Sequence, residues 1–550
     1  MKAINSFLIA VFFMLPGPAA LPAQEIFDAI RNGDMAKVKE FVEKDPQFIK
    51  ARNVRRSTPL HLAVDVNNEP IAKYLIEKGA DMGALNNGQL TPLFYAKTLG
   101  MARLLVERGA DINFGMPITW MLVNKRKEVA EYLLDRGARI PEIGTPQSLS
   151  LLVRSLRSGS GRFLHKYKDQ GFDPRYESPA KNNLLHYASE SDSAELIDQL
   201  IGYGVSANKM NMFGWKPLHI TAANGNLKSL KSLLKKDSDI NTRTPGGKTA
   251  YNLATEAKKA EIADYLKSVG ADQASPRFPE LRGDCMGQTK AGKKAVAFAP
   301  GILSPRHEYH GAIVFSPDGN DMYWSAYTDD QGASIWHAQR EDGRWREPHF
   351  FSRGDAPFIS PDGRKLFFVA SMPVQGGTKE VICVRDRAAS GWSEPKELPE
   401  TINSLPRIHW QASVDKWGNL YFGASGEKGS RIYFSEFKAA GEYGQPQVIA
   451  SLKDIEAFSP YIAPDGSYLI ISKVGESGEE LLILFKRRDG TWTPGIELSG
   501  RLGIMGAFCP IVTHDGKSLF FVGSMDGTYA PFWADALFID DLRKEALKED

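Results

Sequence analysis

The chain has 550 residues, more than one hydrophobic core holds, so several domains are expected. Apolar residues make up 42% and charged residues 24%, as in soluble globular proteins generally. The formal net charge of +2 gives no basis for nucleic-acid binding. The basic clusters (Arg55-Arg56, Lys235-Lys236, Lys290 to Lys294, Lys486-Arg487-Arg488) are scattered rather than gathered into a stripe.

The N-terminus reads as a secretory signal over residues 1–23. Lys2 precedes an apolar run, Phe7 to Leu15, which Pro16-Gly-Pro18 interrupts before the small residues Ala19 to Ala23. The run is short of the roughly 20 residues needed to span a bilayer. Cleavage is expected near Ala23, with a periplasmic or secreted mature protein and no transmembrane segment left after it. An uncleaved anchor is the alternative. With no Cys near the cut, a lipid-modified N-terminus is not supported.

A six-residue phrase then recurs. It reads Thr58-Pro-Leu-His-Leu-Ala63, Thr91-Pro-Leu-Phe-Tyr-Ala96, Asn183-Leu-Leu-His-Tyr-Ala188, Lys216-Pro-Leu-His-Ile-Thr221 and Thr249-Ala-Tyr-Asn-Leu-Ala254. Three of the steps are 33 residues, the signature of a helical repeat array. Pro at the first helical turn opens one helix. A second, such as Ile71 to Lys78, ends at Gly79-Ala-Asp81, where glycine takes a left-handed cap. The stop recurs at Gly109, Gly137, Gly204 and Gly270. The phrase and period resemble the ankyrin repeat over roughly residues 25 to 272. The resemblance implies about eight helix pairs, degenerate between 110 and 180, with Asp28 to Glu43 as an atypical capping unit. It also implies that His61, His186 and His219 tie neighbouring loops together rather than bind metal. The residue before each phrase lies on a projecting turn. That row is Ser57, Leu90, Asn182, Trp215 and Lys248, with Phe213 two residues ahead of Trp215. Phe213, Trp215, Lys248 and Leu90 are therefore the candidate contacts for a protein partner, the aromatics as anchors. Packing of Trp215 onto the adjacent turn is the competing reading.

Residues 273–290 carry neither repeat and read as a linker. From about 291 the period turns strand-like. Phe315-Ser-Pro-Asp-Gly319, Ile359-Ser-Pro-Asp-Gly363, Ile462-Ala-Pro-Asp-Gly466 and Val512-Thr-His-Asp-Gly516 recur, with a looser Val414-Asp-Lys-Trp-Gly418. Asp-Gly between apolar runs signals a hairpin, and a period of roughly 50 residues fits a four-stranded propeller blade. A second mark accompanies the outer strand: Trp345-Arg-Glu-Pro348, Trp392-Ser-Glu-Pro395, Tyr443-Gly-Gln-Pro446 and Trp492-Thr-Pro494. Together the two phrases resemble the TolB-like β-propeller repeats of exported bacterial proteins, over residues 291–543 with a tail at 544–550. The resemblance implies that Asp318, Asp362, Asp465 and Asp515 hold their own turns. Five hairpins against four outer-strand marks predict five blades, with Val296 to Pro300 supplying the missing strand beside Ala536 to Ile539. Six blades is the alternative if residues 273 to 295 hide another.

The expected fold is thus multidomain: an all-α ankyrin solenoid at 24–272, then an all-β propeller. No nucleophile elbow, zinc-protease helix, phosphate loop or dinucleotide fingerprint is present. No cofactor or metal is implied, and Cys285, Cys383 and Cys509 lack ligand spacing, though a disulfide stays open. The residues before each innermost strand are expected at one mouth of the propeller channel: His310, Asp355, His409 and Glu456, with Met505 or Gly506 fifth. Two His and two carboxylates there could bind a metal or a small polar ligand, or equally be a hydrated lining with no function. The function expected is an exported, non-enzymatic interaction or scaffold protein. The alternative is a small-ligand or glycan receptor, or a hydrolase, working at the propeller channel.

Overall fold

The computed structural model describes residues 21–548 apart from 237–238, 277, 304–307, 310, 312, 329–331, 375–376, 390, 406, 427–428, 476–477 and 526–527. Within these, the side chains of 21–23, 308–309, 328, 409–410, 426 and 528 are also not described. Of the expected signal peptide at 1–23, residues 1–20 lie outside the described residues. The chain forms two compact units. One holds Met1–Tyr176, Asn183–Ala207 and Asn226–Asp237; the other holds Glu177–Asn182, Asn208–Gly225 and Ser238–Asp550.

Along the chain the helices come in eight pairs, from Leu21–Arg31 with Met35–Lys44 to Ala250–Glu256 with Ala260–Ser268. Short helices this size are marginal alone and are held by their buried faces. In Pro59–Asp65 these are Leu60, Ala63 and Val64; in Glu69–Glu77, Ile71, Ala72 and Leu75. The second phrase opens only a 3₁₀ turn, Pro92–Tyr95, rather than a full helix. Gly79, Gly109, Gly137, Gly204 and Gly270 all have φ between +81° and +96°, where glycine carries no Cβ penalty. The degenerate stretch keeps its helices, Pro117–Val123, Lys127–Asp135, Pro146–Arg157 and Arg162–Asp169.

Two of the three phrase histidines, His61 and His219, hold turns together. His61 Nδ1 accepts from the Thr58 N–H at 3.1 Å, which leaves Nε2–H to donate to the Leu90 carbonyl at 3.0 Å, 29 residues on. His219 repeats the geometry with Lys216 N–H and the Thr242 carbonyl, both at 3.0 Å. Both uses require the neutral ring. Burial, opposed by the bond to the Thr242 carbonyl, pushes His219 down to about 4, and burial lowers His61 too.

The second unit contains a five-bladed propeller. Blade 1 spans residues 308–353, blade 2 355–397, blade 3 408–448 and blade 4 457–497. Blade 5 is built from Met505–Val512, Ser518–Met525 and Thr528–Asp535, closed by Val296–Ala297. Val296 pairs with Trp533 and Ala297 with Phe532, so the early strand does complete the last blade. Its neighbour is Thr528–Asp535, not Ala536 to Ile539, which leads into a helix, Phe538–Ala546. That helix buries Ile539 and Leu542, so it reaches into the expected tail. Residues 273–295 hold one 3₁₀ turn, Asp284–Gly287, and no strand among the described residues; there is no sixth blade.

The hairpin aspartates cap their own turns. Asp318 accepts from Ser316 Oγ and the Asn320 N–H, Asp362 from Ser360 Oγ and the Arg364 N–H, and Asp515 from Thr513 Oγ1 and the Lys517 N–H. Asp465 does the same with the N–H and hydroxyl of Ser467. In the looser copy Asp415 stands where the others have Ser, Ala or Thr and accepts from the Trp417 and Asn419 N–H groups. The Trp-x-x-Pro mark is not itself the outer strand. Trp345 and Trp392 turn back on the third strand, and the outer strands His349–Arg353 and Lys396–Glu397 follow the proline.

Candidate functional surfaces

The propeller axis is the first place to look. By ladder register Asp355 opposite Val369, His409 opposite Gly423, Phe458 opposite Ser472 and Phe508 opposite Val522 stand at one level. Of the expected channel ring, Asp355 and His409 are thus on that level, Glu456 lies two residues ahead of it, and His310 lies outside the described residues, as does the side chain of His409. A β-bulge follows this level in blades 2 to 5. Ala356, Ser459 and Cys509, at its apex, take φ of +46° to +52°, and one extra residue re-aims what precedes it. Asp355 is turned onto Ser325 Oγ (2.5 Å) and the Ala356 N–H (2.7 Å). Glu456 is exposed beside Gly429. Met505 is 65% exposed.

Deeper in, the axis is filled. Gln411 is buried, and its Nε2 donates to the Pro460 carbonyl of blade 4 (3.2 Å) and the Pro510 carbonyl of blade 5 (2.9 Å). Ser413 Oγ donates to the same Pro460 carbonyl and accepts from the Ile462 N–H. Ser459 Oγ and Cys509 Sγ lie 3.3 Å apart. Pro357, Pro460 and Pro510 sit at the bulges of blades 2, 4 and 5, where proline's missing N–H costs no ladder bond. Sequence reading missed Gln411, although a lone Gln where other blades carry Ala, Ser or Cys was a visible signal. None of the three cysteines is in a disulfide, and burial raises each thiol; Cys285 and Cys383 move to about 11.

A second polar cluster joins blades 1 and 2. Asp321 bonds His337 Nε2 and Arg387 Nη2, both at 2.9 Å. Burial works against its charge, but these two partners hold the carboxyl below its usual range. Tyr323 stacks on His337 at 4.5 Å and accepts from Trp392 Nε1. Its phenol, raised by burial to about 12, supplies no base, and the cluster serves packing.

The repeat turns divide sharply. Phe213 and Trp215, expected as exposed anchors, are 5% and 6% exposed. They join one core with Phe298, Phe315 and the propeller interior, because the second unit folds this turn against its own loop at Ala299 to Leu303. Lys248 is paired with Glu256 at 2.9 Å, and Leu90 is half-buried. In the first unit the picture reverses. Val54 is 94% exposed at a turn tip, and Phe114 and Met116 are 43% and 37% exposed on another. Neighbouring turns there are bonded side by side, as Asn87 N–H to the Arg55 carbonyl and Arg52 Nη1 to the Leu85 carbonyl. Val66 and Val123, at the ends of the first helices of their pairs, are also exposed. Sequence reading passed over these positions because it tracked the residue before each phrase, not the tip itself.

Comparison with known proteins agrees with the helical half. The family model for ankyrin repeats matches residues 26–116 and 185–276. Residues 26–276 are ankyrin repeats. Similar proteins include a palmitoyltransferase, AKR1, of Lachancea kluyveri, 25% identical over 41% of this chain and 28% of that protein. The E3 ubiquitin-protein ligase KEG of Arabidopsis thaliana is 27% identical over 38% of this chain and 12% of its own length. Protein glp-1 of Caenorhabditis elegans is 23% identical over 41% and 16%. The chain thus spans less than a third of these relatives. Repeats of this kind beside a propeller point to protein–protein interaction. Among the described residues no helix is long and apolar enough to cross a membrane.

Proposed function

We propose that this chain is an exported interaction protein whose early repeats grip a protein partner. One observation carries the reading: the exposed apolar residues Val54, Phe114 and Met116 on repeat turns of the first unit. Packing does not require them, and hydrophobic side chains held at the tips of ordered, hydrogen-bonded turns suit insertion into a partner's surface. Arg55 and Arg56 follow Val54 and supply a charged rim. Gln411, bonded across the axis to blades 4 and 5, supports binding without chemistry. Export rests on Lys2, the Phe7 to Leu15 run and the small residues before Gln24.

Two measurements test this. Affinity capture with the full chain is compared for wild type and for Val54→Asp combined with Phe114→Asp. A partner held by wild type and lost by the variant, with unchanged melting, is expected; undiminished capture refutes the surface. Mass spectrometry of the native protein should place the mature N-terminus within a few residues of Gln24, and an intact Met1 would refute cleavage.

A further inference from the structure

The turn expected to bind an outside partner already has one. Within the second unit, the repeat turns at 211–215 and 244–248 close on the loop Ala299 to Leu303. A Cβ on Gly301 would collide with the Phe213 carbonyl oxygen and lie 2.7 Å from Pro245 Cδ. A Cβ on Gly246 would lie 2.7 Å from the Gly301 carbonyl oxygen. Gly214 has no room for a methyl group against Pro245 either. Contact this close, with Phe213, Trp215, Ala299 and Leu303 all buried, is that of an interior and not of two surfaces resting together.

The position of that loop gives the contact a consequence. It directly follows Val296–Ala297, the strand that closes the ring, and Phe298, whose N–H donates to the Pro531 carbonyl at 2.8 Å. The Phe298 ring packs on Phe520 and Trp533 of blade 5 and on Phe315 of blade 1. The same stretch of chain is fastened upstream. Trp345 N–H donates to the Leu281 carbonyl and Trp345 Nε1 to the Gly283 carbonyl, while Asp535 N–H donates to the Gly292 carbonyl. Only two residue pairs of β-ladder close the last blade, so the seam depends on what holds these flanks.

We propose that the last two repeat turns lock the propeller ring: their ligand is the chain's own ring-closing segment, and releasing them opens the seam between blades 5 and 1. The array then contributes to propeller stability from a distance of more than 50 residues in sequence. A partner competing for these turns would loosen the seam by the same linkage.

The test uses the full chain. Gly246→Ala adds a methyl group against the Gly301 carbonyl and, since Gly246 has no left-handed φ, adds no backbone strain of its own. Amide hydrogen exchange is followed by mass spectrometry. Exchange in Val296–Ala297 and Thr528–Asp535 should rise about tenfold or more, while Leu420–Gly426 of blade 3 stays as in wild type. Should Gly246→Ala fail to fold, Pro245→Ala, which only removes contact, is read in the same way. A rise confined to residues 208–272 overturns the proposal, because the turns would then be released without effect on the ring. A uniform rise through all five blades overturns it too, because the coupling would be to the whole propeller and not to its seam.

Discussion

Truncating Phe298 to alanine should open the propeller at one place. The side chain is 2% exposed and sits 5.0 Å from the ring of Phe520, 5.9 Å from Trp533 and 6.2 Å from Phe315. Large-to-small changes at such sites cost about 3 to 5 kcal/mol, counting lost burial and the void left behind. The backbone bond to the Pro531 carbonyl does not depend on the side chain, so the loss is one of packing. Because the rings Phe298 packs on belong to blades 1 and 5, the cost falls on the seam. By linkage, about 3 kcal/mol taken from a local opening reaction raises exchange through it roughly a hundredfold. Native-state hydrogen exchange should show this in Thr528–Asp535. Phe422→Ala, equally buried in blade 3, is the control and should act on Leu420–Gly426 instead. A loss below about 1 kcal/mol, or an exchange pattern the same as that of Phe422→Ala, would refute the reasoning.

Other perturbations follow from the same geometry. Trp215→Ala should lower stability by about 3 to 5 kcal/mol as a core truncation, visible in urea denaturation; a neutral result would return Trp215 to the surface. Gln411→Ala strips a donor from the Pro460 and Pro510 carbonyls and leaves a void, so a loss of about 2 to 4 kcal/mol is expected by the same measurement. Val54→Asp, at a 94% exposed tip, should change the melting temperature by no more than a degree or two, since such surface changes stay within about 0.5 kcal/mol. His219 gives a pH dependence whose sign is fixed. Its folded pKa is near 4 against 6.5 for the free ring, so the unfolded chain binds more protons between these values. Its stabilising contribution is complete above about pH 6.5 and falls by up to about 3 kcal/mol as the pH drops towards 4. Denaturation midpoints measured across that range should slope accordingly, and His219→Gln should flatten the slope.

Periodicity carried most of the architecture. The 33-residue phrase, its proline and its capping glycine are local requirements of a helix pair, and each repeat states them again. The Asp-Gly hairpins did the same for the blades, and the mismatch between hairpins and outer-strand marks was enough to assign Val296 to Pro300 to the last blade. The partner strand was misplaced by a few residues because strand ends carry weaker local signals than turns. The candidate sites were much less legible. The ladder puts His409 on the level of Asp355, while Glu456 falls two residues ahead of it, beside Gly429. Gln411 became an axial plug only because five strands converge there. Phe213 and Trp215 have the sequence of an exposed finger, and only the fold shows what covers them. Repeat sequence determines each unit's internal structure through contacts close along the chain. Which turns remain free to meet a partner is decided by contacts between segments far apart in sequence, such as Phe213 with Gly301, and no local pattern encodes those.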